Sequence, residues 1–283
     1  MIDAIHNTLS FFLNHPLTRH QRAAAIYRFA KWQIQSRFRE ESIVPWVGQT
    51  RLAARRGMTG ATGNIYAGLH EFYDMAFTLH FLKSDDTFLD IGANVGTYTV
   101  LASGVCGART VSFEPNPQAM TTLKRNIEIN NIAALVQTEC VALGAEHGEA
   151  SFTDDQDTMN RVTESDGPNT MRVRVERLDD VVQSDPALIK IDLEGYEEFV
   201  FCGAQRTLRS PNLRAVITEG RGEAAVAPLF DAGFSQYEYD PWKRQLSKEV
   251  NAREGNALFI RDAAFVRERL ATAPAFKVLG FEI

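Results

Sequence analysis

Four carboxylates and one histidine stand in this chain where an α/β protein could use them. The first lies in Phe88-Leu89-Asp90-Ile91-Gly92-Ala93-Asn94-Val95-Gly96-Thr97-Tyr98. An apolar strand ends there and breaks into glycines four apart. Glycine lets the backbone turn tightly and approach a ligand without a Cβ in the way, and Asp90 at the strand's end suits a cationic group such as an amine. A pyrophosphate site would read G-x-G-x-x-G, but Asn94 occupies the third position here. The spacing therefore suits an amino-acid-bearing ligand better. A ligand-free turn explains any one glycine but explains the whole run poorly.

The second carboxylate is Glu114, in Val111-Ser112-Phe113-Glu114-Pro115-Asn116-Pro117. An acid ending the second strand, about 20 residues past the glycine loop, is placed to accept both hydroxyls of a ribose. Asn116 is a candidate helix cap with Pro117 at the first helical position. The third run is Leu188-Ile189-Lys190-Ile191-Asp192-Leu193-Glu194-Gly195. Strands of a sheet covered on both sides are normally apolar throughout, so a lysine two residues before an aspartate is unusual. Period two puts both on one face. Lys190 reads as half of a structural ion pair, and Asp192 as facing the reaction centre. Glu219 ends the next strand, and His70-Glu71 precede the sheet. A histidine there could take a proton near neutral pH, although capping or packing explains it equally simply.

These residues need a scaffold. Short apolar runs near 87–91, 109–114, 135–142, 187–192, 214–219, 234–239 and 256–261 alternate with helical segments at 96–106, 117–130, 195–209 and 222–232. That alternation predicts a mostly parallel sheet with crossover helices. Met171 to Val175 alternates with period two, like a strand with one wet face. A polar, acid-rich loop covers 154–168. Residues 1 to about 45 read as helix, with Leu9, Phe12 and Leu13 on one apolar face and Ile26, Phe29, Ala30 and Ile34 on another. The glycines between 57 and 68 suggest turns or short strands, and Phe72, Met75, Ala76 and Leu79 a helix over 71–82. The domain division expected is an N-terminal helical cap and lead-in over 1–82, then a cofactor-binding domain over 83–283.

The bulk numbers exclude some functions. The 283 residues carry a formal charge of −6, with 45% hydrophobic and 23% charged residues, the balance of an ordinary globular protein. A general affinity for nucleic acid needs clustered Lys and Arg, so none is expected. No apolar run is long enough to span a membrane, and the start at Met1-Ile2-Asp3 lacks the pattern of a signal peptide. A cytoplasmic protein with no membrane partner is expected. Cys106, Cys140 and Cys202 show no CxxC spacing and read as small buried hydrophobes.

Taken together, these motifs resemble those of the FkbM family of methyltransferases. The resemblance rests on Asp90 to Gly96 with Tyr98, on Glu114 to Pro117, on Leu123, Asn126 and Asn130, and on Ile189 to Glu197 with Gly203-Ala204. It implies a Rossmann-like class I methyltransferase fold, a seven-stranded sheet whose last strand inserts antiparallel. It implies S-adenosylmethionine as cofactor, S-adenosylhomocysteine as product, and O-methylation of hydroxyls on natural products or sugars. Asp90, Gly92 and Asn94 would surround the cofactor's methionine part and Glu114 would hold its ribose, with Ala93, Gly96, Tyr98, Pro115, Ala142 and Asp192 also in the cofactor site. Val141, Ala142 and Leu143 would lie near its adenine. Asp192 would sit between cofactor and acceptor.

The expected reaction is in-line displacement by a substrate hydroxyl, where alignment supplies much of the acceleration. Asp192, His70 or Glu219 would take the proton, Asp192 being the first choice as base or orienter. A divalent metal held between Asp192 and Glu219 is a variant with no third ligand evident. Two other classes stay open. A nicotinamide-dependent oxidoreductase would use Glu114 equally well but lacks its glycine fingerprint, and a non-catalytic binding subunit would keep the same fold. Acceptor specificity is expected from the N-terminal helices and the 154–168 loop, through Tyr66, His70, Asn160 and Arg161. The N-terminal helices could also pair with a second chain.

Overall fold

The computed structural model describes residues 10–153, 162–163, 170–193, 195–219, 222–248 and 255–283. The N-terminal part holds a short helix over 10–14, helix α1 (Arg22–Gln35), the hairpin β1 (Ser42–Pro45) and β2 (Arg51–Ala54), α2 (Thr59–Ala67) and α3 (Phe72–Phe81). The sheet then begins with β3 (Thr87–Ile91). After it come α4 (Thr97–Thr99, running on as a wider π-type turn over Val100–Val105), β4 (Arg109–Phe113), α5 (Pro117–Ile129), β5 (Val136–Glu139) and β6 (Ala142–Leu143).

Strands β7 (Gly148–Thr153), β8 (Val162–Thr163) and β9 (Thr170–Glu176) join β6 in a separate four-stranded sheet. The alternation read over 171–175 is β9, whose Val173 and Val175 are buried while Arg172 and Arg174 face solvent. The chain continues through α6 (Leu178–Val181), β10 (Leu188–Ile191), α7 (Glu197–Cys202), α8 (Gln205–Leu208), β11 (Ala215–Thr218), α9 (Glu223–Asp231), β12 (Ser235–Asp240), β13 (Gln245–Ser247), β14 (Ala257–Ile260) and α10 (Ala263–Ala271).

The main sheet runs β13-β12-β14-β11-β10-β3-β4-β5. Strands β11, β10, β3, β4 and β5 are parallel, and β14 enters antiparallel between β11 and β12. This is the doubly wound, Rossmann-like arrangement expected. The hairpin partner β13 extends the expected seven strands to eight. The parallel order brings the carboxyl ends of β3, β4, β10 and β11 to one edge, and the antiparallel entry of β14 brings Asn256 to the same edge.

One face of the sheet packs on a cluster in which Leu17, Leu69, Met75 and Phe77 meet Phe88, Leu188, Ile217 and Leu258. The other face carries Ile91, Ile189, Val200, Phe201 and Phe259. Helix α5 forms as its sequence indicates. Asn116 Oδ1 accepts from the backbone N–H groups of Gln118 and Ala119 at 2.8 and 3.2 Å, Pro117 opens the helix, and Met120, Leu123 and Ile127 are buried.

Several expectations fail locally. Residues 42–45 are strand, not helix. Residues 59–67, expected as turns or short strands, form helix α2, in which Gly63 leaves room for His70. A Cβ on Gly63 would sit 2.5 Å from His70 Nδ1. On α1 the buried residues are Ala25 and Trp32, with Phe29 partly buried, while Ile26, Ala30 and Ile34 point to solvent. Both sides of that helix are apolar, so its pattern could not tell inside from outside. Cys140 and Cys202 are exposed and Cys106 partly so, against the expectation of three buried thiols. Leu9, Glu194 and the 154–161 and 164–168 parts of the acid-rich loop, with Asn160 and Arg161, lie outside the described residues. Among the described residues no helix is long and apolar enough to cross a membrane.

Candidate active site

Sheet register explains how polar side chains reach the edge. Ser112 pairs with Asp90 and Asp90 with Lys190, so the three stand side by side on one face. Thr99, from the helix after the glycine loop, ties two of them together. Its Oγ1 donates to Asp90 Oδ2 at 2.6 Å and lies 2.7 Å from Ser112 Oγ. Asp90 is almost fully buried, which raises its pKa, while nearby Lys190 pulls it down. Its Oδ1 has no hydrogen-bond partner among the described residues. Asp90 therefore lies beneath the loop and does not form the cavity wall.

The loop has a left-handed residue at every second position: Gly92 (φ 75°), Asn94 (φ 48°) and Gly96 (φ 83°). Glycine takes this conformation at no steric cost, and asparagine is among the few residues that tolerate it. At Gly92 a second constraint applies, because a Cβ would stand 2.1 Å from the Asp192 carbonyl oxygen. The turn aims the Asn94 N–H at Glu114 Oε2 (2.8 Å), and the Asn116 N–H binds Oε1 (2.8 Å). Each carboxylate oxygen keeps a second lone-pair site for a ligand hydroxyl. Burial pushes Glu114 up to about 7, against the pull of those two N–H bonds.

The loop opens on a cavity of about 540 Å³. Gly92, Ala93, Asn94, Glu114 and Pro115 wall it at the loop end; His70, Glu71, Tyr98, Lys190, Asp192, Glu219 and Asn256 line the rest. Gly96 lies behind the wall, close against Leu123. Beside the loop end is an apolar slot of Ile91, Pro115, Val141, Ala142, Leu143 and Phe152. Ala142, expected near an adenine, lies in this slot.

In the rest of the cavity, Lys190 Nζ donates to Asp192 Oδ2 at 2.7 Å and sits 4.8 Å from the centre of the Tyr98 ring. The pair expected from spacing is formed. Burial opposes the lysine's charge, but Asp192, Glu71 and Asp90 outweigh it, and the pKa is raised. Asn256 Nδ2 donates to Glu71 Oε1 (3.0 Å) and to Asp74 Oδ2 (3.3 Å). Desolvation and the neighbouring Glu71 push Asp74 up to about 8. Burial lowers His70, so its imidazole is neutral near pH 7, and its ring lies tilted against Phe11 with centroids 4.9 Å apart. His70, Asp192 and Glu219 all line this cavity.

The sequence reading missed Asp74 and Asn256. Asp74 follows His70-Glu71 by one helical turn, a spacing that could have flagged it. Asn256 has no local signal, because only the antiparallel entry of β14 brings it here. Among the described residues no group of three or more His, Cys, Asp or Glu side chains is clustered to hold a metal.

Comparison with known proteins agrees with this picture. The family model of the methyltransferase FkbM domain matches residues 90–236, just over half of the chain. The hexuronic acid methyltransferase AglP of Haloferax volcanii is 28% identical over 134 residues, covering 46% of this chain and 54% of that protein. Methyltransferase 1 of Beauveria bassiana is 24% identical over 159 residues, covering 47% and 64%. The chain thus spans between half and two thirds of the length of these curated relatives. The crystal structure of a methyltransferase FkbM from Methylobacillus flagellatus KT aligns with a TM-score of 0.45 at 17% identity, over 70% of this chain and 52% of that one.

Proposed function

Because this chain belongs to the FkbM methyltransferase family, with the sheet of a class I methyltransferase, we propose that it transfers a methyl group from S-adenosylmethionine to a hydroxyl of a sugar or small natural product. The observation that carries this reading is the single cavity joining the glycine loop and Glu114 to His70, Asp192 and Glu219. When bound, the cofactor supplies a methyl group already activated by its sulfonium.

The chain's own residues then have distinct tasks. Glu114 has an acceptor site left on each oxygen for the two ribose hydroxyls, and the slot at Ala142 and Leu143 suits a flat, apolar-faced base. Asp90, with its unpartnered buried Oδ1, supplies the negative charge that favours an amino group above the loop. At the other end an acceptor hydroxyl must be aligned and must lose a proton near the transition state. His70 is neutral and can take that proton on a ring nitrogen. Asp192 is held by Lys190 through one oxygen, so it orients the hydroxyl with the other. Glu219 is the second acceptor at that end. The sugar class is favoured by the similarity to a hexuronic acid methyltransferase. In this reading residues 1–82 close the acceptor end and residues 83–283 carry the cofactor.

Calorimetric titration with S-adenosylhomocysteine, beside NAD, tests the reading. Binding that Glu114→Ala removes supports it. Binding of NAD instead, or no binding by a folded sample, overturns it. Turnover and acceptor affinity that survive Asp192→Ala would remove Asp192 from the mechanism.

A further inference from the structure

The outer face of α1 has no partner among the described residues. Tyr27 is 66% exposed and Ile34 60%, Ile26 is exposed beside them, and Phe38 just past the helix is 83% exposed. On a helical wheel Ala23, Tyr27, Ala30 and Ile34 form one stripe, opposite the Ala25 and Trp32 stripe that packs inward. A helix apolar on both faces usually has something covering each.

The charges around this stripe indicate what covers it. The segment from 19 to 39 contains Arg19, Arg22, Arg28, Lys31, Arg37 and Arg39, and no acid occurs between residues 4 and 39. This stands against a chain whose net charge is −6. Arg28 is spent inside, where its Nε donates to the Tyr66 carbonyl at 2.9 Å. The other five are exposed, and none is ion-paired among the described residues.

We propose that α1 docks this protein on an anionic lipid surface, lying in the plane of the interface. Tyr27, Ile34 and Phe38 enter the headgroup region while the flanking cations meet the lipid phosphates, which is how a basic amphipathic helix binds a membrane without crossing it. The absence of a spanning helix does not bear on this mode of contact. A second copy fits less well, because pairing two such faces would bring ten exposed cations together. Nucleic acid would use the cations but leave the apolar stripe uncovered. The docked helix also packs on α2 through Phe29 and Tyr66, whose ring centroids are 5.3 Å apart. Tyr66 and Asn64 of α2 also line the cavity of the proposed active site.

The test is co-sedimentation of the full chain with vesicles of phosphatidylcholine plus phosphatidylglycerol, against phosphatidylcholine alone. Binding to the anionic vesicles only, weakening as salt rises, is expected. Lys31→Ala should weaken partitioning about fivefold. Tyr27→Ser with Ile34→Ser should abolish it while leaving the unfolding midpoint near that of the parent, since both side chains are exposed. Failure to bind anionic vesicles overturns the proposal. A monomer would then leave the face solvated, and a dimer broken by Ile34→Ser would assign it to a second copy. None of these readouts depends on methyl transfer.

Discussion

Lys190→Met removes the lysine that lines the cavity among the described residues and tests whether the carboxylates around it depend on that charge. Methionine keeps the length and apolar stem of lysine but leaves Asp90, Asp192 and Glu71 facing one another. Losing one partner of a buried ion pair costs about 3–5 kcal/mol. Asp192 has a side chain 29% exposed, so water relieves it and the lower end, about 3 kcal/mol, applies. Asp90 is 1% exposed and has no such relief. At about 2–4 °C per kcal/mol for a large domain, the melting midpoint should fall on the order of 10 °C.

The pH dependence gives the test its direction. Burial already raises Asp90, and Lys190 opposes that rise, so the substitution raises the carboxyl further. A carboxyl with a folded-state pKa above its unfolded value contributes stability below the unfolded pKa and loses it as pH rises toward the folded one. The deficit of Lys190→Met should therefore be larger at about pH 8 than at about pH 5. Urea unfolding followed by circular dichroism at both pH values measures this. A variant with the parent's midpoint at the higher pH, or a larger deficit in acid, would refute the reasoning.

Two further outcomes are expected. With Glu114 near 7 and ribose hydroxyls as donors to its ionised form, S-adenosylhomocysteine affinity should drop about tenfold from pH 8 to pH 6 as the carboxylate takes up a proton; calorimetry on Glu114→Gln should give a weaker and flatter profile. Gly92→Ala combines a left-handed backbone with a Cβ 2.1 Å from the Asp192 carbonyl, so it should cost about 2–4 kcal/mol and loosen the β3–β10 edge. Unchanged unfolding and cofactor titrations for Gly92→Ala would show that the close approach does not matter.

The sheet was readable in the sequence because its signals are local. Each strand is a short apolar run, and each crossover helix carries its own periodic stripe or cap, as Asn116 and Pro117 show for α5. The glycine-loop end of the cavity was readable for the same reason, since Asp90 to Tyr98 and Glu114 sit on consecutive strand–loop–helix turns. Asn94 is an example: the residue that breaks the dinucleotide fingerprint is one of the few besides glycine that takes φ 48°. The N-terminal part was harder. Gly63 resembles a turn former but sits in a helix to make room for His70, and α1 is apolar on two sides.

By itself, then, the sequence determined a parallel sheet, the turn after β3 and the acid after β4, because strand period, left-handed residues and caps act over a few neighbouring positions. Only the tertiary structure decided which residues meet at the far end of the cavity. His70, Glu71 and Asp74 come from the segment before the sheet, Asp192 and Glu219 from the ends of β10 and β11, and Asn256 from the antiparallel entry of β14. The pKa shifts of His70 and Asp74 follow from their burial, which spacing along a chain does not encode. The same holds for α1, where packing against α2 chose the Trp32 side as the interior and left Tyr27 and Ile34 outside.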